Sequence, residues 1–265
     1  MAENIVNVAP RRRFRMPRTI AALMLREMST TNGRSPGGYL WAVLEPVLAL
    51  ALLSVVFSYM FRTPALGVNF PLFYATGYLP FMYYSELNAK IATSIRFSRP
   101  LLAYPTVTFV DALIGRFLVT SMTQMLVAYI ILTGILTLFD TRTILSFPPI
   151  FLGFAMAAAL GLGLGTLNCY LFSAFPAWER AWGVLTRPLF IISCILFTFE
   201  AVPESAQQIL WFNPLVHVTG TVRSGVYATY DAAYTSPLYV FGISALALAL
   251  GLALLRGSHR AFVNE

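Results

Sequence analysis

Apolar and polar positions alternate along this chain on the scale of whole bilayer crossings. A helix that crosses a bilayer needs about 20 mostly apolar residues. Runs that meet or approach this length occupy 38–60, 70–87, 113–139, 147–172, 182–199 and 237–255. Short polar segments separate them. The pattern predicts an all-α integral membrane protein with six transmembrane helices.

Two more segments are helical in pattern without being spans. In "MPRTIAALMLREMSTT", 16–31, Met16, Ile20, Leu23, Met24 and Met28 share one helical face, and Arg15, Arg18 and Arg26 another. This is an amphipathic helix with a cationic side, suited to lying in the membrane interface. The sequence "GRSPGG" breaks it before the first span. In 202–227, Pro203-Glu204 and Asn213-Pro214 each read as a helix start. The two pieces are too short to span. They form either a re-entrant helical hairpin on the outer side or two surface helices in an external loop.

Composition agrees with the pattern. The 265 residues are 58% hydrophobic and only 11% charged, with a mean hydropathy of +0.71. A soluble core cannot hide this much apolar surface, so the bilayer acts as solvent. The first 37 residues are polar and Arg-rich and lack the pattern of a cleavable signal, so the first span is expected to be retained.

The net charge of +7 does not indicate a nucleic-acid partner, because the cations sit in short segments between apolar runs. Arg11, Arg12, Arg13, Arg15, Arg18, Arg26 and Arg34 precede the first span. Lys90, Arg96, Arg99 and Arg116 lie between the second and third, Arg180 and Arg187 where the fifth begins, and Arg256 and Arg260 after the sixth. The positive-inside rule then puts both termini in the cytoplasm, as an even number of spans requires. The expected organisation is a cytoplasmic N-terminus with the interfacial helix at 1–37, a six-helix membrane domain at 38–256 and a cytoplasmic tail at 257–265.

Candidate chemistry is sparse. Cys169 and Cys194 lie inside apolar runs and read as small buried hydrophobes, and no cofactor or metal site is expected. The chain has only two histidines, His217 and His259, and no spacing that suggests a metal cluster or a nucleophilic triad. "GLGLG", 161–165, sits deep in the fourth run. With Gly153 and Ala157 it recurs every four residues and reads as a helix-packing face. No Walker A motif is present, so ATP has no usual phosphate cradle here. The acids Glu45 and Glu86 fall near predicted cytoplasmic ends, which argues against a proton-coupled carrier. Tyr74, Tyr78 and Phe81 form an aromatic stripe in the second span, followed by Tyr83 and Tyr84. Such a stripe can carry a sliding glycan or can simply be an interfacial belt with core packing. Arg34, Lys90, Arg96 and Arg99 gather at the predicted cytoplasmic mouth, either as a route for an anionic glycan or as plain topology.

"LMLREMSTTNGRSPGGYLWAVLEP", 23–46, resembles the entry motif of ABC-2-type permeases that export polysaccharide. "FPLFYATGYLPF", 70–81, is similar to their second span, and "RPLFIISCILFTFEAVPESAQQILWFNPLVHV", 187–218, resembles their fifth span and external helices. The likeness points to capsular polysaccharide exporters of double-membraned bacteria. It implies the ABC-2 (type V exporter) fold, inner-membrane residence and a homodimer paired with two copies of a separate P-loop ATPase. That partner would bind ATP and magnesium. The resemblance further implies a lipid-linked anionic polysaccharide as cargo, and a periplasmic co-polymerase and an outer-membrane channel as partners.

The resemblance also assigns roles. The ATPase would push on the interfacial helix, 17–31, and on a cytoplasmic coupling helix within 96–116. The coupling residues would be Arg26, Glu27, Arg99, Pro100, Tyr104, Pro105 and Asp111. The channel would be lined by Tyr39, Trp41, Glu45, Tyr74, Tyr78, Phe81 and Tyr84, with Arg34, Lys90 and Arg96 at its mouth. Two features depart from the family pattern: Tyr104-Pro105-Thr106-Val107-Thr108 carries no basic residue, and "STTNGRSPGG" has Arg34 as its only cation. Glu45 would pair with Arg34 or Arg26 and anchor the interfacial helix, or else contact glycan. Other cargoes of the same machine (O-antigen, teichoic acid, a drug) and a membrane-embedded lipid-modifying enzyme stay open. The enzyme would need an essential His217, Asp140 or Asp231.

Overall fold

The structure, a computed structural model, describes residues 15–31, 38–102 and 107–264. Among the described residues all regular structure is helical. Helix α1 (Arg15–Thr31) is followed by α2 (Gly38–Met60), α3 (Phe70–Ala92), α4 (Ser94–Leu102), α5 (Phe109–Leu138) and α6 (Phe147–Ala174). Then come α7 (Pro176–Ile192), a 3-10 turn (Phe199–Ala201), α8 (Glu204–Leu210), α9 (Pro214–Val226) and α10 (Pro237–Asn264).

Among the described residues, four helices contain stretches long and apolar enough to cross a membrane: Leu40–Met60, Phe109–Leu138, Phe147–Ala174 and Pro237–Ser258. The other two expected spans differ from these for physical reasons. Helix α3 has 23 residues, about 35 Å at 1.5 Å per residue, but it is rich in tyrosine and ends in polar residues. It is also deeply packed, with Leu72, Phe73, Tyr74, Tyr78, Tyr83, Tyr84, Leu87, Asn88 and Ile91 all buried. Helix α7 has 17 residues and stops at Ile192 rather than continuing to 199. Cys194 takes a φ of +56°, a left-handed conformation that no helix continues through.

Close helix contacts explain the glycine run. A β-carbon at Gly161 or Gly165 would collide with Leu87 or Ile91 of α3, and one at Gly163 with the backbone of Ser244 in α10. The "GLGLG" stretch therefore faces two neighbours at once, α3 on one side and α10 on the other. Gly153 does the same toward Val222 of α9. The packing reading of these small residues holds.

Three segments differ from their expected outlines. The stretch 96–116 is not one helix. Helix α4 ends at Leu102 and α5 starts at Phe109, where the Thr108 hydroxyl accepts from the Asp111 amide and the Asp111 carboxylate accepts from the Thr108 amide at 2.9 Å. This reciprocal capping box starts a new helix. In α1, the face packed on the protein holds Ile20, Leu23 and Glu27, while Leu25 and Met28 are exposed. The helix thus divides its apolar residues between α5 and its surroundings. Helix α10 runs on through Asn264, so residues 257–264 continue the helix.

Candidate functional site

Four elements meet on one buried guanidinium at the end of the molecule that holds α1 and α4. The Arg116 Nε donates to Glu27 Oε2 of α1 at 3.1 Å. Its Nη1 donates to the Lys90 carbonyl at 2.6 Å and to Thr93 Oγ1 at 2.8 Å, satisfying the C-terminal turn of α3. Its guanidinium carbon lies 4.1 Å from the centroid of the Phe97 ring of α4, and that of Arg26 lies 5.0 Å from the same centroid. Side chains of both Arg116 and Glu27 are less than a tenth exposed. A carboxylate buried this far is retained only when paired. The cluster therefore fixes α1 against the ends of α3, α4 and α5.

A second set of contacts binds the start of α7 to the same end. Arg96 of α4 makes a bidentate pair with Glu179, at 2.9 and 3.3 Å, on an exposed surface. Beneath it, Trp178 Nε1 donates to Asn168 Oδ1 at 3.1 Å, and Asn168 Nδ2 donates to Asn88 Oδ1 at 3.2 Å. This chain of neutral hydrogen bonds crosses from α7 through α6 to α3.

The opposite end is organised by α9, which is buried along nearly all of its length. Asn213 caps it by accepting from the Leu215 amide. His217 is fully buried between Trp211, Tyr234 and Tyr239. Its Nδ1 accepts from the Ser236 amide at 3.1 Å, which leaves Nε2 to donate to the Trp211 carbonyl at 2.8 Å. Both ring nitrogens are committed to holding the fold, and burial lowers the proton affinity of the ring. Arg223 is also fully buried and donates to the carbonyls of Ile195 and Phe197, the stretch where the chain leaves α7. Asp140 and Asp231, the other residues an enzyme would need, are both exposed; Asp140 is paired with Arg142 at 3.4 Å.

The expected site residues are distributed unevenly. Arg26 and Glu27 sit in the buried cluster just described. Arg99 and Pro100 lie on the exposed side of α4, and Asp111 is buried as the capping acid of α5. Tyr104, Pro105 and Arg34 lie outside the described residues. Of the expected channel residues, Trp41 and Glu45 are exposed on α2, and Tyr39 belongs to its first turn. Tyr74, Tyr78 and Tyr84 are buried within the fold, where core packing accounts for them. Phe81 is half-buried, edge-on to Phe190 of α7 at 5.6 Å. Lys90 is half-buried and Arg96 is held by Glu179. The buried carboxylate of α1 is Glu27, with Arg116 as its partner.

Sequence reasoning missed Arg116 as a hub, the Asn88–Asn168–Trp178 chain and Arg223. A signal existed for the asparagines: Asn168 lies inside the fourth apolar run and Asn88 directly follows the second, and a buried polar amide must find a partner. No local pattern marks Arg223, whose partners are backbone carbonyls almost 30 residues away.

These features define a polytopic α-helical membrane protein with one end tied together by buried charge and the other by a buried helix. No family model matches the chain. It is 29% identical over 247 residues to the polysialic acid transport protein KpsM of Escherichia coli, covering 93% of this chain and 96% of the relative. It is 24% identical over 237 residues to the capsule polysaccharide export inner-membrane protein CtrC of Neisseria meningitidis serogroup B, covering 89% of each. It is 27% identical over 244 residues to the capsule polysaccharide export inner-membrane protein BexB of Haemophilus influenzae, covering 90% of each. The chain is thus homologous, nearly end to end, to inner-membrane proteins of capsule export.

Proposed function

We propose that this chain is the membrane-spanning subunit of an exporter that moves capsular polysaccharide across the bacterial inner membrane. The observation that carries the reading is homology along nine-tenths of the chain to three differently named capsule export proteins of the inner membrane. A shared fragment would not extend over the whole array of helices.

In this reading α2, α3, α5, α6, α7 and α10 are the six spans, and both termini face the cytoplasm. The length of α3 and its central packing support its inclusion, because a buried helix need not be uniformly apolar. Helix α9 forms the re-entrant arm of an external hairpin with α8; its burial against α3 and α6 supports this placement. The protein works as a homodimer. Helix α2 exposes Trp41, Leu48, Leu52, Val55 and Tyr59, so this helix supplies the subunit contact. Two copies of a separate ATPase, which alone bind ATP and magnesium, press on α1 and α4. The cluster around Arg116 passes that push to α3 and α5. The cargo is a lipid-linked acidic glycan, handed on to a periplasmic co-polymerase and an outer-membrane channel.

The test is deletion of the gene in its encapsulated host, followed by fractionation of the glycan. Export by this chain predicts that polymer accumulates inside the cell and that the plasmid-borne gene returns it to the surface. Unchanged surface glycan in the deletion strain would overturn the reading. Purification of the complemented chain predicts a co-purifying P-loop ATPase, and hydrolysis by the chain alone would contradict the division of labour.

A further inference from the structure

Helix α7 carries a charge arrangement that the sequence had counted as loop topology. Arg187 lies within the helix, about 12 Å further along its axis than Glu179 at 1.5 Å per residue. Glu179 marks the polar end through its pair with Arg96. Arg180 and Arg187 are seven positions apart and so share one face, two turns or about 10 Å apart. Both are exposed, and neither makes a hydrogen bond or ion pair with another described residue. Gly183 lies between them on that face, and a β-carbon there would meet nothing within 4 Å. Trp178, on the opposite side of α7, reaches Asn168, while the Phe190 ring, seven positions beyond Gly183, meets Tyr78 and Phe81 at 6.1 and 5.6 Å where the same face runs into the packed body of the subunit. The two cations and the gap between them are thus exposed along the part of that face that precedes Phe190.

A guanidinium at this depth does not belong in lipid. An arginine at a span centre costs on the order of 2.5–3.5 kcal/mol even on the mildest scale, and such residues face water, a partner or cargo. The cations expected to form the anionic route are not equally free, since Arg96 is committed to Glu179. We propose that Arg180, Gly183 and Arg187 form a binding strip for the negative groups of an acidic polysaccharide, with Arg187 as the inner contact. The inference rests on the proposed export function. Guanidinium groups pair bidentately with carboxylate and phosphate. Two of them flanking a side-chain-free gap hold a polymer by charge while leaving room for its backbone to slide. Neutral glycans gain nothing from the strip.

The experiment uses the full chain with its co-purified ATPase in nanodiscs and fluorescent oligomers of polysialic acid as the acidic probe, with dextran as the neutral one. Arg187→Leu and Arg187→Gln are each expected to weaken binding of the acidic probe at least tenfold. Arg187→Lys is expected to keep most of it, and dextran to bind none of them. Gly183→Leu, which fills the gap without changing charge, is expected to weaken binding as well. Arg62→Leu, an exposed cation beyond the end of α2, is expected to change nothing. Unchanged binding of the acidic probe by both Arg187→Leu and Arg187→Gln would overturn the inference, as would a variant that falls apart into single subunits while each retains its affinity. The latter result would assign Arg187 to the contact between copies. A wild-type complex that binds no acidic glycan, together with surface glycan surviving gene deletion, would defeat the export reading itself. Wild-type binding with indifferent Arg187 variants would defeat only the strip.

Discussion

The guanidinium of Arg223 lies 4.3 Å from the centroid of the Phe73 ring, while its two terminal nitrogens donate to the carbonyls of Phe197 and Ile195 at 2.8 Å each. One side chain of α9 thereby holds α3 on one side and the unwound end of α7 on the other. Replacing it with leucine leaves two buried carbonyls without donors, a cost of about 1–3 kcal/mol for each such group. Arg223→Leu is expected to lower the melting temperature of the purified protein by several degrees. Arg223→Lys, with one compact donor head in place of a planar fork, is expected to recover only part of it. A melting curve equal to wild type for Arg223→Leu would remove this residue from the account of the fold.

The glycine contacts separate two kinds of substitution. At Gly163 a methyl group would overlap the carbonyl of Ser244, a backbone atom that cannot swing aside. Gly163→Ala is expected to destabilise by about 1–3 kcal/mol through overpacking of α6 on α10. At Gly242, two residues from Ser244, a β-carbon meets nothing within 4 Å. Gly242→Ala is expected to be neutral, or stabilising by up to about 1 kcal/mol through helix propensity. Thermal unfolding of the two variants side by side checks the difference.

His217 gives the fold a pH dependence with a defined sign. Burial lowers its proton affinity below the ordinary value near 6.5, and the Ser236 amide already occupies Nδ1. Above about pH 6.5 the ring is neutral in both folded and unfolded chains, and its contribution to stability is complete. As pH falls below that point the unfolded chain takes up a proton that the folded ring resists, so stability declines. Wild-type melting temperature is expected to fall between pH 7 and pH 5 more steeply than that of His217→Gln. Equal slopes would show that this ring is not the group responsible.

Arg116 and Glu27 form a pair whose halves are not interchangeable with nothing. Removing either one takes the opposite charge away from a buried ionised group, at a cost of about 3–5 kcal/mol. Arg116→Met and Glu27→Leu are each expected to be strongly destabilising, and the double variant to be less harmful than their sum. Recovery will be incomplete, because the Lys90 carbonyl and Thr93 also lose a donor. Additive single effects in a double-mutant cycle would contradict a direct coupling.

Helix identity was legible from sequence where hydrophobic periodicity alone decides it. Helices α2 and α6 begin where the apolar runs begin, at Gly38 and Phe147. Legibility failed at α7, because 189–199 is apolar but for Ser193 and Thr198 and nothing local marks Cys194 as the residue that turns left-handed. The aromatic stripe stayed open: Tyr74, Tyr78 and Phe81 share a face, but periodicity does not reveal whether that face meets a channel or another helix. The tie between α1 and α5 is nonlocal: 89 positions separate Arg116 from Glu27. Motif resemblance pointed to the same group of capsule export proteins that the sequence comparisons found, while leaving the particular contacts to tertiary structure.

Direction is the central claim: work enters at the end holding Arg99 and leaves as moved glycan at the end holding α8. Single cysteines at Arg99 of α4 and at Gln208 of α8, both exposed positions, can be labelled with a membrane-impermeant thiol reagent. Cys169 and Cys194 are buried and give a low background. In cells whose outer membrane is permeabilised, Gln208→Cys is expected to react at once, and Arg99→Cys only after the inner membrane is opened. Labelling of Arg99→Cys with the inner membrane intact would place the Arg116 cluster on the wrong side for any cytoplasmic ATPase, and the account would fail.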